Sequence, residues 1–182
     1  MMPAQDKLRP AAQALVEGFA EAGLRLATAE SCTGGMIAAA ITDIPGSSAV
    51  LDRGFVTYSN TAKEEMLDVD AATLARHGAV SEEVARQMAA GALARSSADC
   101  AIAVTGIAGP GGGSEEKPVG LVHFACADRE GIVHRRMMFG ESNRDEIRRA
   151  SVTTALLMLD ESLWRLAHAT GAGEADDELP QP

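Results

Sequence analysis

Residues 24–42 read LRLATAESCTGGMIAAAIT, and this stretch decides the fold class. Residues 24–29 have the composition of a short strand, and residues 36–42 form a helix candidate built from small and aliphatic side chains. The intervening SCTGG has the residue types of a tight turn. A strand, a turn and a helix in this order form the repeating unit of α/β proteins.

The same alternation continues on both sides of this stretch. Upstream, residues 10–22 carry apolar side chains at helical spacing. Downstream, residues 50–59 are rich in β-branched and aromatic types and predict a second strand, after which Asn60 is suited to cap a helix. Residues 101–105 are continuously apolar, which is typical of a strand buried on both faces. Ligand sites in open α/β sheets lie where such strands end, so we expect the site in the following loops.

The last third of the chain predicts a different arrangement. Two apolar segments within residues 120–139 flank the sequence DREG and predict a β-hairpin. A long final helix is expected to open at Ser142, with Asp145 completing a capping-box pattern. We therefore predict an α/β fold, a single three-layer domain with a mixed β-sheet flanked by helices, over residues 1–170. The acidic segment of residues 171–182 predicts a disordered tail.

Composition excludes several classes of protein. The 182 residues carry a net charge of −10, which argues against non-specific binding to nucleic acid. No apolar run approaches the length of a membrane span, and the N-terminal residues lack the apolar core of a secretory signal. The three cysteines, Cys32, Cys100 and Cys126, have no spacing typical of zinc ligands or of a disulfide framework. We therefore expect a cytoplasmic protein with reduced thiols, no membrane association and no metal site.

Ser31 is the first candidate for chemistry, because it lies between a predicted strand and a predicted helix. Backbone N–H groups at such a helix start can stabilise an oxyanion or bind a phosphate, and residues 33–35 could supply them. A simple helix-capping serine fits the same pattern. Cys32 is a rival nucleophile, since a helix N-terminus can lower a thiol pKa. No histidine stands near either residue in the sequence as an evident base.

Lys63 and Tyr58 form the second candidate pair. Tyr58 ends a predicted strand, and Lys63 falls in the first turn of the next helix, although lysines make up only three of the 16 Lys and Arg residues. The positive end of the helix should lower the lysine pKa and favour a neutral amine, which can act as a base. A serine with a lysine base is a recognised variant of nucleophilic catalysis. An ordinary solvated lysine is the alternative.

A glycine-rich loop at residues 105–114 is the third candidate. Such a loop after a buried strand can present N–H groups to a phosphate, although this one lacks the ending of a P-loop. Arg144, at the start of the last helix, could bind a phosphate or a carboxylate with two parallel hydrogen bonds. A mobile surface loop and an exposed arginine are the respective alternatives.

Taken together, five motifs resemble the C-terminal domain of the CinA family. They are AESCTGG, TDIPGSS, GFVTYSN-x-x-K, HGAVSEEV and TGIAGPGGGSEEKPVG, and the resemblance extends over residues 24–166. The resemblance implies a nicotinamide-nucleotide amidohydrolase, which converts nicotinamide mononucleotide and water to nicotinate mononucleotide and ammonia in pyridine-nucleotide recycling. It implies no metal and no organic cofactor. The chain has no room for the further N-terminal domain of longer CinA proteins, so we expect the stand-alone amidohydrolase without their metal-dependent activity.

The resemblance also implies the roles of individual residues. Ser31 matches the family's nucleophile, and Tyr58 and Lys63 match its proton-handling partners. Substrate contacts are expected from six residues in the matching loops: Thr33, Gly34, Ser48, Thr105, Gly106 and Arg144. Members of the family look like dimers, so the resemblance also implies a homodimer. Two other hypotheses remain open: a non-catalytic nucleotide-binding or competence- and DNA-damage-associated module, and an amidohydrolase that acts on another small amide.

Overall fold

The computed structural model describes residues 5–140 and 142–169. The predicted tail of residues 171–182 lies outside the described residues. A five-stranded sheet runs through the molecule in the order β2-β1-β3-β4-β5. The strands are β1 (Leu26–Glu30), β2 (Leu51–Val56), β3 (Cys100–Gly106), β4 (Leu121–Asp128) and β5 (Gly131–Met138). Strand β1 pairs in parallel with β2 and β3, whereas β3–β4 and β4–β5 are antiparallel.

Helices cover both faces of this mixed sheet, as the sequence predicted. They are α1 (Gln5–Ala22), α2 (Met36–Thr42), α3 (Asn60–Leu67), α4 (Ala71–His77), α5 (Glu82–Ala94) and α6 (Arg144–Ala169). Helices α1, α2 and α6 pack on one face, over a core of aliphatic and aromatic side chains. Helices α3, α4 and α5 pack on the other face, where the apolar side chains of the central strands are alanines. The three-layer α/β architecture is therefore confirmed.

The alanine face lets the second helical layer lie close to the sheet. Ala27, Ala29, Ala101 and Ala103 alternate with the larger side chains of the same strands, which point to the opposite core. The helices of this layer also approach one another closely, since a Cβ added at Gly91 would lie 1.9 Å from the carbonyl oxygen of Leu67. This packing places the start of α3 beside the carboxyl ends of the parallel strands.

Helix α1 begins at Gln5, before the predicted residue 10, and two other helix starts differ from the sequence prediction by one residue each. Ser59, not Asn60, caps α3, because its side chain accepts a hydrogen bond from the Ala62 amide at 3.0 Å. At α6 the cap is Asn143 rather than Ser142, and its reciprocal partner is Glu146, whose carboxylate accepts from the Asn143 amide at 3.0 Å. Adjacent polar residues offer equivalent capping chemistry, and tertiary packing selects between them.

Candidate active site

Ser31 follows β1 directly, at the carboxyl edge of the parallel strands. Its backbone N–H donates to the carbonyl oxygen of Val104 at 3.0 Å, which continues the pairing with β3 for one residue. Its carbonyl accepts from the Gly34 amide at 3.1 Å, which closes a tight turn before α2. Gly34 and Gly35 have φ values of +60° and +96°, and glycine adopts such values with little strain. The turn thus holds the Ser31 hydroxyl at the edge of the sheet.

Lys63 reaches the same point from α3 on the other layer. Its Nζ lies 3.1 Å from Ser31 Oγ and donates to the Thr57 carbonyl at 2.8 Å. The residue is only 1% exposed. Burial lowers the Lys63 pKa, because desolvation disfavours the charged ammonium. The pKa shift has the direction that the sequence predicted, and burial is its largest cause.

Tyr58 and Arg144 stand together at the outer rim of this site. The Arg144 guanidinium donates to the Tyr58 hydroxyl at 3.1 Å and to the Gly109 carbonyl at 2.8 Å. Tyr58 is 63% exposed. Its hydroxyl has Arg144 as a partner and makes no hydrogen bond to Ser31 or Lys63 in the part of the chain that the structure describes. Ser31 and Lys63 contact each other directly, so no relay through Tyr58 is needed to join them.

A cavity of about 220 Å³ opens onto these side chains. Besides Ser31, Lys63, Tyr58 and Arg144, its lining comprises Cys32, Ala79, Val80, Thr105, Gly106 and Ala108. The Thr105 hydroxyl donates to the Ala79 carbonyl at 2.8 Å and so fastens the loop before α5 to the end of β3. At Gly106 a Cβ would come within 2.7 Å of the Val122 side chain, so glycine is required there by β4.

Three of the sequence-predicted binding residues do not line the cavity. Thr33 is fully buried, and Gly34 faces outward beside the Arg148 guanidinium. Ser48 lies in a single 3₁₀ turn that precedes β2. It is therefore at the amino ends of the parallel strands, whereas Ser31 is at their carboxyl ends. Thr33 and Gly34 lie in the Ser31 turn, and the roles of Thr33, Gly34 and Ser48 in substrate binding stay predictions. The amide of Gly35 is also occupied, because it donates to the Glu30 carboxylate at 3.0 Å.

Cys32 borders the cavity but its thiol is poorly suited to attack. The residue is 7% exposed and packs against the core beneath α2 and α6. Burial raises the Cys32 pKa to about 11, although the neighbouring Arg148 and Lys63 lower it to a smaller extent. At neutral pH the thiol is protonated, whereas the thiolate is the nucleophilic form. The geometry therefore favours Ser31 over Cys32.

Two charged residues that the sequence analysis did not single out hold the turn in place. The fully buried Glu30 accepts hydrogen bonds from the amides of Gly35, Ile37 and Ala38 at 2.9 to 3.0 Å, so a carboxylate caps α2 from within the sheet. Arg148 of α6 donates to the Cys32 carbonyl at 3.1 Å and to the Thr33 carbonyl at 2.8 Å. The role of Glu30 has a local signal in the sequence, because an acidic residue there ends an otherwise apolar strand. The role of Arg148 has no local signal, since 116 residues separate it from Cys32.

Other catalytic arrangements find little support in the described residues. None of the four histidines lines the cavity, and His123 instead pairs with His134 across the hairpin, with 3.0 Å between ring nitrogens. Residues 5–140 and 142–169 contain no cluster of His, Cys, Asp and Glu arranged to hold a metal ion. Among the same residues, no helix combines the length and the apolar character that crossing a membrane requires.

Comparison with known proteins places this chain in a family. Residues 8–163 match the sequence model of the CinA C-terminal domain. The chain is 54% identical over 145 residues to a protein of Escherichia coli named nicotinamide-nucleotide amidohydrolase PncC, covering 79% of this chain and 84% of that protein. A CinA-like protein of Mycobacterium marinum is 54% identical over 139 residues, which are 76% of this chain but 33% of that longer protein.

Solved structures share the fold as well. The crystal structure of a competence/damage inducible protein from Agrobacterium tumefaciens superposes with a TM-score of 0.83 at 57% identity, covering 86% of this chain and 94% of that chain. A CinA superfamily protein from Klebsiella pneumoniae gives the same TM-score at 39% identity, over 87% and 98% of the two chains. The architecture, the order of motifs and the family match agree, and the chain belongs to the CinA C-terminal domain family.

Proposed function

We propose that this protein hydrolyses the carboxamide of nicotinamide mononucleotide to give nicotinate mononucleotide and ammonia. The observation that carries the proposal is the 3.1 Å contact between Ser31 Oγ and the buried Lys63 Nζ at the floor of a cavity. A relative that is 54% identical carries the name nicotinamide-nucleotide amidohydrolase. A module that only binds nucleotides would have no use for a lysine whose burial favours the neutral amine.

In the proposed first step, the neutral Lys63 amine accepts the Ser31 proton while its own N–H remains bonded to Thr57. Ser31 Oγ attacks the carboxamide carbon, forming a C–O bond as the carbonyl π electrons move to oxygen. The Lys63 ammonium then gives the proton to the amide nitrogen, and the C–N bond breaks to release ammonia. An acyl-enzyme on Ser31 remains.

In the second step, water attacks the acyl carbon with Lys63 again accepting a proton. Collapse of the tetrahedral intermediate returns that proton to Ser31 Oγ and releases the product as its carboxylic acid, which then loses its proton to water. The same amine therefore serves as base and as acid in each half of the reaction, as is usual for covalent hydrolases. The proposed reaction consumes water as its second substrate and needs no oxidant or reductant.

The dimensions of the cavity suggest how the substrate would lie. At about 220 Å³ it is smaller than the roughly 300–1,000 Å³ of most small-molecule pockets. A pyridine ring with its carboxamide would fill it, while the ribose phosphate would extend to the rim. There Arg144 could bind the phosphate through a charge-assisted hydrogen bond, and Tyr58 could flank the sugar.

The experiment that tests the proposal measures ammonia released by the purified protein from nicotinamide mononucleotide, with a metal chelator present. Nicotinamide and nicotinamide riboside serve as comparison substrates. Turnover of the mononucleotide above the other two supports a nucleotide amidase. Equal rates on all three would favour an amidohydrolase for another small amide, and no release from any of them would favour the binding module.

Replacing Cys32 with alanine should leave turnover within about a factor of three of the wild type. The thiol is protonated at neutral pH because burial raises its pKa to about 11, so its loss removes packing and no reacting group. Steady-state ammonia release measures the effect, with thermal unfolding as the control for the small cavity created. Loss of activity in a folded Cys32→Ala protein would identify the thiol as the attacking group.

Replacing Arg144 with methionine should reduce selectivity for the phosphorylated substrate. A hydrogen bond to a charged group contributes about 1.5–3 kcal/mol, so the ratio of kcat/KM for mononucleotide over riboside should fall roughly 10- to 100-fold. The ratio is the informative quantity, because Arg144 also holds Tyr58 and Gly109, and any distortion of these residues affects both substrates. An unchanged ratio would place the phosphate elsewhere.

We also propose a cytoplasmic enzyme of pyridine-nucleotide recycling. The three cysteines are free and buried, as is common where the compartment is reducing. The homodimer stays a prediction, which light scattering at several protein concentrations would test.

A further inference from the structure

The Ser31 turn is held by a side chain from the far end of the sequence. Helix α6 begins at Arg144, and Arg148 lies one turn later on the same face. Arg144 binds the Tyr58 hydroxyl and the Gly109 carbonyl, while Arg148 binds the Cys32 and Thr33 carbonyls. One face of one helix therefore contacts three of the segments that form the cavity.

We propose that Arg148 is a positioning residue that fixes the Ser31 turn for reaction, by binding the two successive carbonyls of Cys32 and Thr33 with one guanidinium. This inference rests on the proposed function, since it concerns the nucleophile of that reaction. Arg148 does not line the cavity and touches no reacting atom. Its action is through the backbone that carries Ser31.

The two hydrogen bonds constrain the turn strongly because they fix whole peptide planes. In a planar trans peptide the C=O and the following N–H point in opposite directions. Holding the Thr33 carbonyl therefore also aims the Gly34 amide, which donates to the Ser31 carbonyl at 3.1 Å. The Arg148 contact and the hydrogen bond that closes the turn on Ser31 therefore share one peptide plane, and a change in one affects the other.

The turn needs such support because its own sequence supplies little rigidity. Gly34 and Gly35 adopt positive φ values and have no side chains to pack. Glu30 fixes the amide side of the turn from the sheet, and Arg148 fixes the carbonyl side from α6. Arg148 is itself anchored, because the neighbouring Ile147 is fully buried in the core.

The expected size of the effect follows from the Ser31–Lys63 contact. A displacement of about 1 Å at a reacting group can lower a rate roughly 100-fold. We expect Arg148→Ala to lower kcat about 10- to 100-fold with KM changed less than threefold, because Tyr58, Thr105 and Arg144 keep their places at the cavity. Arg148→Lys should restore little, since a single ammonium lacks the planar fork that reaches both carbonyls.

Arg149→Ala is the matched control. This neighbouring arginine forms a partly exposed ion pair with Asp145 at 2.9 Å, and among the described residues it neither lines the cavity nor has a hydrogen bond to the Ser31 turn. It should keep wild-type kcat. Guanidinium ion added at millimolar concentration should raise the activity of Arg148→Ala but not that of Arg148→Lys or the wild type, which a general loss of stability would not explain.

A second readout is independent of the natural substrate. A serine-reactive fluorophosphonate labels an activated hydroxyl, and the labelling rate followed by intact mass reports on Ser31 directly, with Ser31→Ala as the blank. Arg148→Ala should label about 10- to 100-fold more slowly at every pH, with the same apparent pKa for the labelling rate as the wild type. If the wild-type protein labels but does not hydrolyse nicotinamide mononucleotide, the proposed function fails while the role of Arg148 is still decided by the labelling rates.

Three results would overturn the positioning role. They are a wild-type labelling rate in Arg148→Ala, a loss that Arg149→Ala shares, and an apparent pKa that shifts with the substitution. The last would mean that the Arg148 charge acts on Lys63 rather than on the geometry of the turn.

Discussion

Substitution of Ser31 by alanine is expected to lower ammonia release from nicotinamide mononucleotide by about 10⁴- to 10⁶-fold, since loss of a serine nucleophile in a covalent hydrolase has an effect of that order. The substitution removes one oxygen atom from the wall of the cavity and leaves Tyr58, Thr105 and Arg144 in place. Substrate should therefore still bind, with a Kd close to the wild-type value. Ammonia release gives the rate, and calorimetric titration with the mononucleotide gives the affinity.

The matched control for this substitution is Cys32→Ala, which removes a similar volume from the adjacent residue. Mass spectrometry after rapid quenching adds a direct observation, because an acyl adduct should be found on wild-type peptide containing Ser31 and be absent from Ser31→Ala. Retained turnover in the Ser31→Ala protein would reject the serine as nucleophile.

Lys63→Met should lower turnover by about 10²- to 10⁴-fold, the contribution usual for a positioned general base. Methionine fills the buried space of the lysine stem but cannot accept a proton. In the wild type the rate should rise with pH as Lys63 loses its proton, at a pKa below that of an ordinary lysine. In Lys63→Met the residual rate should lack that rise, and a profile of unchanged shape would show that another group is the base.

The same substitution should raise the free energy of unfolding at neutral pH. Because burial lowers the Lys63 pKa in the folded state, the unfolded chain binds more protons between the folded and unfolded pKa values. Stability from this group therefore increases as pH rises through that window and is lowest below it. Lys63→Met removes this dependence, so its melting temperature at neutral pH should exceed the wild-type value. A lower melting temperature would indicate that the lost bond to Thr57 outweighs the cost of burying the amine.

Local patterns predicted the fold well because the decisive signals are local. Helix α2 begins and ends at the expected residues, and the hairpin of β4 and β5 lies within residues 120–139 as predicted. The Ser31–Lys63 pair could also be anticipated, since both residues follow adjacent parallel strands whose carboxyl ends meet at one edge.

The supporting residues could not be anticipated in the same way. Arg148 lies in a run of charged residues that resembles any exposed helix face, and only the packing of α6 against the sheet brings it to the Ser31 turn. Ser48 is the opposite case, because its motif suggested a place in the site that the fold does not give it. The turn that carries Ser48 precedes β2, so within one chain it lies at the other end of the strands from Ser31. Both outcomes depend on tertiary placement, which spacing along the sequence does not encode.

The distance along the chain between the two halves of the site has a consequence for biosynthesis. Ser31, Tyr58 and Lys63 leave the ribosome before the helix that supplies both arginines, since α6 follows all the other described elements in the sequence. A nascent polypeptide can begin to fold while translation continues, but the cavity rim and the support of the Ser31 turn are complete only after α6 has emerged. A chain that ends before α6 would therefore lack both the Arg144 contact with Tyr58 and the Arg148 contact with the Cys32 carbonyl.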